Sequence, residues 1–199
     1  KLHIRKYALH TKIVLITSLI LIIGPSILFL ILERHALFAD MNTPQAILNA
    51  LFCAVTPRTA GFNTTDIASL SQSSQLLTII LMFIGGCPGS TAGGAKVTTI
   101  TVLILYLRSM LTRTDGVNIF KRRLEDEVVS KAAAVFTTHM LLAVVATFLI
   151  SMQQDLDLTV IVFDVVSADS TVGMGTGITP HLVLGAKVIL ILRMDLGLV

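Results

Sequence analysis

Residues 13–32, "IVLITSLILIIGPSILFLIL", contain no charged side chain. A helix needs roughly 20 apolar residues to cross about 30 Å of hydrocarbon, so this run restricts the chain to folds compatible with a bilayer. Ala132–Gln154 is a second uncharged run of spanning length, and no charge occurs between Asp66 and Lys96. At least three spans are expected. Composition agrees: 54% hydrophobic and 14% charged residues, with a mean hydropathy of +0.85, lie outside the soluble range of about 45–50% apolar and about 25% charged. The opening "KLHIRKYALHTK" is basic, but the apolar run behind it is too long for a signal peptide and lacks a small-residue cleavage pattern. It reads as a retained helix.

The order along the chain is internally repetitive. Span one, Thr11–Leu32, contains Gly24-Pro25, a kink that a neighbouring helix can accommodate. Pro44, behind Asn42 or Thr43, suits the first turn of a helix running to Val55, too short to cross a bilayer. The polar "TPRTAGFNTT" of residues 56–65 follows, and then an apolar segment, Gln75–Arg108, interrupted at "GGCPGSTAGG". Beyond the polar, basic-first "RSMLTRTDGVNIFKRRLEDE" come the span Lys131–Ser151, the link "QQDLDL" and a short apolar segment, Thr159–Ala168. The stretch "SADSTVGMGTGITP" and a last apolar segment from about Leu182 complete the chain. Long helix, short helix, glycine stretch and long helix thus occur twice, a repeat of roughly 100 residues.

Lys and Arg set the expected orientation. The N-terminus has Lys1, Arg5, Lys6 and Lys12, and Arg108, Arg113, Lys121, Arg122, Arg123 and Lys131 lie around the central loop, whereas the links 33–45 and 152–158 hold only Arg34. The positive-inside rule makes the N-terminus and the central loop cytoplasmic and both links external. Each short helix then dips into the membrane and returns, with its glycine stretch at the tip of a re-entrant loop. Non-helical backbone at that depth is tolerated only when shielded by protein or lining a water-filled cavity. Gly61 and Gly173 permit backbone angles that direct successive carbonyl oxygens toward one axis, neutral hard ligands suited to an alkali cation. Thr59 and Thr171 add a hydroxyl at each entrance. The plainer alternative is a pair of ordinary extracellular turns.

"TPRTAGFNTTDI", "SADSTVGMGTGITPHL" and "FIGGCPGSTAGGAKVTT", in that content and spacing, resemble the Trk/Ktr/HKT superfamily of potassium transporters, in particular the C-terminal half of a Ktr-type membrane subunit. The resemblance implies an all-α membrane protein built from two helix–re-entrant pore loop–helix repeats, potassium-channel-like and half of a pseudo-fourfold pore. Residues 1–110 would be the third repeat of the family, 111–130 a cytoplasmic loop, and 131–199 the fourth repeat, truncated at its inner helix. The implied selectivity filter is Thr59, Ala60, Gly61 and Phe62 with Thr171, Val172, Gly173 and Met174. The implied gating loop is Gly85, Gly86, Cys87, Pro88, Gly89, Ser90, Thr91, Ala92, Gly93 and Gly94, with Lys96 at its inner end.

Implied partners are the complementary N-terminal half, missing from this chain or separately encoded, or a second copy in a homodimer, and a cytoplasmic nucleotide-binding regulatory subunit. Potassium would be the transported ion, with sodium a candidate for coupling and no covalently bound cofactor. The expected setting is the lipid of the plasma membrane, in multiple passes, with no nucleic-acid partner. A non-conducting, truncated or degenerate fragment that only packs in the membrane is the alternative function.

Several residues admit two readings. The break at 85–94 also suits a kink where small residues bring helices close, and Lys96 could snorkel to the interface. His139 reads as a helix-contact hydrogen bond or a pore group, and Asp66 and Asp164 as exposed caps or cation attractors. "KRRLEDE" reads as a solvated face or a regulatory contact. Cys53 and Cys87 show no CxxC spacing and read as unpaired packing residues. "GSTAGGAK" only approximates a phosphate loop, because Ala95 separates Gly94 from Lys96, and "GMGTG" lacks a dinucleotide-binding context. With no paired carboxylates, Ser/His/Asp set or metal-ligand cluster in the sequence, no enzyme is expected. The chain departs from the family pattern at Asp169-Ser170, in place of Phe-Gly. It departs again at "RMDLGLV", where Arg193 reads as an insertion and Asp195 and Leu198 replace Phe and Arg.

Overall fold

A computed structural model describes residues 9–90, 92–113, 118–119, 122–123 and 125–197. Of the residues singled out above, Lys1, Arg5, Lys6, Thr91, Lys121 and Leu198 lie outside that set. Helix α1, Leu9–Leu32, runs through Pro25 without a break. Proline supplies no N–H to the preceding turn, and next to it the Ser26 hydroxyl donates to the Ile22 carbonyl at 2.6 Å. Helix α2, Thr43–Val55, starts with Pro44 in its first turn, where a missing N–H costs nothing. After a non-helical stretch, Asp66 caps a short 3-10 turn, Ile67–Ser69, by accepting from the Ala68 N–H at 3.1 Å.

The uncharged segment expected as the third span is two helices. Helix α3, Gln72–Ile84, is capped by Ser71, and helix α4, Val97–Leu111, begins beyond the loop. Their 13 and 15 residues are each short for a full crossing. Gly85 stops α3 by adopting φ 59°, a left-handed conformation that an L side chain resists. A two-residue antiparallel pairing follows, β1, Asn118–Ile119, with β2, Arg122–Arg123, in an otherwise helical set of described residues. Helix α5, Asp126–Ser151, begins earlier than Lys131 because Asp126 and Glu127 favour the positive end of the helix dipole. Glu127 also pairs with Lys131 at 2.7 Å, one turn on. Helices α6, Leu158–Asp169, and α7, Leu184–Gly197, flank the second glycine stretch.

Two clusters fix the arrangement. Ile13, Val102, Val129 and Ala132 bring the start of α1, the body of α4 and the start of α5 to one end. The second crosses the halves: Ile67, Leu70, Ile79 and Met82 pack against Phe163, Val166, Val172 and Met174, so α3 covers α6 and the stretch behind it. Phe83 meets Phe136 edge to face at 5.5 Å beside this core. Elsewhere Leu19, Ile20, Ile31, Leu141, Val144 and Phe148 are exposed on α1 and α5. In water such faces would be unfavourable; against lipid tails they are the expected surface of a helical membrane protein.

At the far end of α1, Glu33 is fully buried and accepts from the Ser71 N–H at 3.0 Å and the Ser71 hydroxyl at 2.6 Å. A carboxylate thereby ties the end of α1 to the N-terminus of α3, where the helix dipole favours negative charge. Burial pushes the Glu33 carboxyl up, but hydrogen bonds from Ser71 and Ser74 and from the Ser71 and Leu37 backbone outweigh it. The net result lies below the ordinary value of 4.5. A group depressed on folding stabilises the fold above its unfolded pKa and loses that contribution as pH falls through its folded value. Glu33→Gln is therefore expected to lower stability at neutral pH by about 1.5–3 kcal/mol, the range for hydrogen bonds to a charged group. The difference in thermal midpoint between the variant and the parent protein, measured in detergent, should shrink as the pH is brought below 4.5.

Candidate functional site

The two glycine stretches share a backbone pattern. Thr59 and Gly61 have φ of 70° and 72°, and Thr171 and Gly173 have 52° and 82°, whereas Ala60, Phe62, Val172 and Met174 have negative φ. Alternation of positive and negative φ lets successive carbonyls turn toward one side of the chain, which the uniformly negative φ of an ordinary strand does not. A β-branched residue in this region is an outlier that costs of order 1–3 kcal/mol and must be held by its surroundings. The holding groups are at the ends of the short helices. Thr56 donates its hydroxyl to the Phe62 carbonyl, and Ser167 does the same for Met174. Backbone bonds from Ala60 to the Thr56 carbonyl at 3.1 Å and from Val172 to the Ser167 carbonyl at 2.9 Å complete each turn.

The stretches lie side by side. A Cβ on Gly61 would stand 2.4 Å from the Val172 carbonyl oxygen, so only glycine allows this approach. Arg58 anchors the first stretch to α1, with its guanidinium donating to the Ser18 carbonyl at 3.3 Å and reaching the Ser18 hydroxyl at 3.2 Å. Asp66 is an exposed cap, one of the two readings its sequence position allowed, but Asp164 is not exposed. It is buried and accepts from the Thr176 N–H at 3.2 Å and from the Thr176 and Thr179 hydroxyls at 3.3 and 3.1 Å. The reason is the return of the chain: the second stretch continues through Gly175 and Gly177 and folds Thr176 and Thr179 back over α6, where Asp164 accepts one backbone N–H and two hydroxyls. Corresponding positions also differ in cover. Met174 is buried beneath α3, while Phe62 is 73% exposed.

The loop between α3 and α4 runs beneath both stretches. The Gly93 N–H donates to the Thr171 hydroxyl at 2.8 Å, and a Cβ on Gly86 would come within 3.9 Å of the Thr59 hydroxyl. The Gly86 carbonyl accepts from the Val97 N–H at 3.1 Å, closing the base of the loop. Cys87 approaches the Ser18 hydroxyl at 3.5 Å, and Ser90 turns back to the Cys87 carbonyl at 2.7 Å. Pro88 is half-buried, Gly89 and Ser90 are exposed, and Ala92, Gly93 and Gly94 are buried. Lys96 does not extend away; its ammonium donates to the Ala92 carbonyl within the loop. Cys53 and Cys87 are both free thiols.

One grouping has no counterpart in the sequence reading. Asp169, the last residue of α6 and fully buried, receives the Arg193 guanidinium from α7 and lies 3.1 Å from His139 Nδ1 on α5. Each residue was conspicuous in the sequence, Asp169 and Arg193 as departures and His139 as a lone polar group in a span, but nothing in their separations of 30 and 24 residues joins them. Of the other charges of α7, Lys187 is half-buried and donates to the Pro180 carbonyl at 2.9 Å, and Asp195 is exposed. Among the described residues, no three His, Cys, Asp or Glu side chains gather in a set able to hold a metal ion.

The family profile described as "TrkH: Cation transport protein" matches residues 7–199. The chain is 37% identical over 199 residues to the potassium/sodium uptake protein NtpJ of Enterococcus hirae, covering 98% of this chain and 44% of that protein. It is 33% identical over 195 residues to the Ktr system potassium uptake protein B of Bacillus subtilis, covering 97% and 44% respectively. With the protein of the same name from Vibrio alginolyticus the identity is 34% over 191 residues, covering 95% and 42%. The chain thus spans less than half the length of these curated relatives, all of them named as uptake proteins rather than enzymes. A match along almost its whole length makes this chain a member of the TrkH family of cation transport proteins.

Proposed function

We propose that this chain supplies two neighbouring repeats of a potassium-uptake pore, with residues 59–62 and 171–174 as filter segments and 85–96 as the gating loop beneath them. The observation that carries the reading is the shared alternation of φ at Thr59, Gly61, Thr171 and Gly173 in two adjacent, non-helical segments. Carbonyl oxygens turned to one side replace the water shell of a weakly hydrated cation without requiring a buried charge. The carbonyls of Phe62 and Met174 each have one lone pair occupied by a hydroxyl. The carbonyls of 59–61 and 171–173 are therefore the stronger candidates for ion ligands.

Two observations support a half pore. The relatives are more than twice as long as the chain, and the cover that α3 gives Met174 has no equivalent at Phe62, which is left open for a further repeat. That repeat would come from complementary sequence or from a second copy of the chain. Residues 1–110 and 131–199 form the two repeats and 111–130 the loop between them. By the positive-inside rule this loop and the N-terminus would lie in the cytoplasm, where a nucleotide-binding regulatory subunit would dock. Potassium is the proposed cargo, and the potassium/sodium name of one relative makes sodium the ion to test for coupling.

The deciding experiment is growth at low external potassium of a cell lacking its own potassium uptake, supplied with this chain in a complete and correctly inserted assembly. Growth with rubidium influx is expected; an inserted assembly without flux would sink the reading in favour of a non-conducting packing unit. Gly61→Ala and Gly173→Ala separate steric from conformational effects. Both require an L residue at positive φ, at roughly 1–2 kcal/mol, but only at Gly61 does the new methyl meet Val172. That overpacking adds about 1–3 kcal/mol, so influx should fall much further in Gly61→Ala than in Gly173→Ala.

A further inference from the structure

Asp169, Arg193 and His139 lie where three helices converge beneath the second glycine stretch. Asp169 is 0% and Arg193 4% exposed, so neither charge is solvated and each depends on the other. Arg193 lies one turn before Gly197 on α7, so both face the same neighbour. That neighbour is Asp169, whose carbonyl oxygen would be 2.0 Å from a Cβ on Gly197. The Gly197 carbonyl in turn accepts the Gly94 N–H at 3.3 Å. Next to this contact, Gly93 donates to the Thr171 hydroxyl, two residues beyond Asp169. A continuous chain of contacts therefore runs from α5 through the ion pair to the end of α7, and from there into the loop.

We infer that the Asp169–Arg193 pair, steadied by His139, is a latch that presses the end of α7 onto α6 and so holds Gly93 and Gly94 against Thr171. Asp169 and Arg193 are positioning residues in this scheme; neither touches the ion. Their charges hold α7 in the one register in which the Gly197 carbonyl reaches Gly94. Without the pair, the end of α7 slides on α6, Gly94 loses its acceptor, and the loop leaves the base of the second stretch. Two Arg193 nitrogens, Nε and Nη1, have no partner among the described residues, so Asp169 is the contact there that fixes the guanidinium. The inference rests on the proposed pore for its effect on transport, but the position of the loop can be read without any flux.

Cys87, within the loop, provides that reading in a Cys53→Ala background. The rate at which a small charged methanethiosulfonate labels Cys87 is compared in membranes among the parent protein, Asp169→Asn, Arg193→Met and the double variant. Rubidium influx is followed in the same assemblies for apparent KM, maximal rate and competition by sodium. Removing one partner strands the other charge, whereas the double variant replaces the pair with uncharged side chains and is expected to insert even if the single variants do not. Labelling about tenfold faster or more in any inserted variant, the double included, is the expected result. A raised apparent KM with weaker discrimination against sodium should accompany it where flux is present. Parent-like labelling and parent-like discrimination in the inserted variants would overturn the latch. An inserted parent assembly with no flux would instead count against the proposed pore, while the labelling comparison would still decide the latch.

Discussion

Every departure from regular helix in this apolar chain must satisfy its own backbone, because neither lipid nor an apolar core offers hydrogen bonds. Three of the segments between helices, the two glycine stretches and the loop before α4, are each satisfied largely by another segment or by the helix leading into it. Thr56 and Ser167 clamp the stretches that they precede. Asp164 supplies acceptors for Thr176 and Thr179 of the second stretch. Gly93 and Gly94 donate to Thr171 and Gly197. The three breaks are consequently adjacent in space, and the site is where they meet.

Adjacency of this kind restricts residue choice more tightly than the properties of any single segment. Gly61 is needed for its positive φ and also because the Val172 carbonyl occupies the place of its side chain. Gly173 has the same φ and open space around it. Thr59 and Thr171 occupy left-handed conformations with side chains that disfavour them, which is tolerable because the flanking turns over-determine the backbone. Strain is held at equivalent points of the two segments. Such an arrangement is not what a loop chosen for stability would adopt.

Helices and breaks were legible in the sequence because they are local. Uncharged length predicts α1 and α5, Pro44 predicts the start of α2, and Gly85 with Pro88 predicts the interruption before α4. The start of α5 was misjudged by weighing apolar residues alone; Asp126 and Glu127 are charged, but a first helical turn favours acidic residues. For Asp164 the reading as an exposed cap fails for a related reason. Its carboxyl suggests the surface until the loop that folds over it, more than ten residues later, provides three hydrogen bonds. Periodicity carries no information about such a closure, and the packing of α3 across α6 is equally invisible to it.

Asp169 and Arg193 show what single positions conceal. Taken separately, each is a charge inserted into an apolar setting at several kcal/mol, and each suggests a damaged final repeat. Brought together, they neutralise one another at a point that touches α5, α6 and α7. An ion pair is a poor substitute for apolar packing as a source of stability, since desolvation consumes most of the Coulombic gain. What it adds is directionality: a guanidinium and a carboxylate hold one relative position of two helices, where aliphatic side chains tolerate several. The loop that meets both glycine stretches hangs from the end of one of those helices. A small slip between α6 and α7 would thus be felt first by the backbone at Gly93 and Gly94, ahead of any change in the glycine stretches themselves.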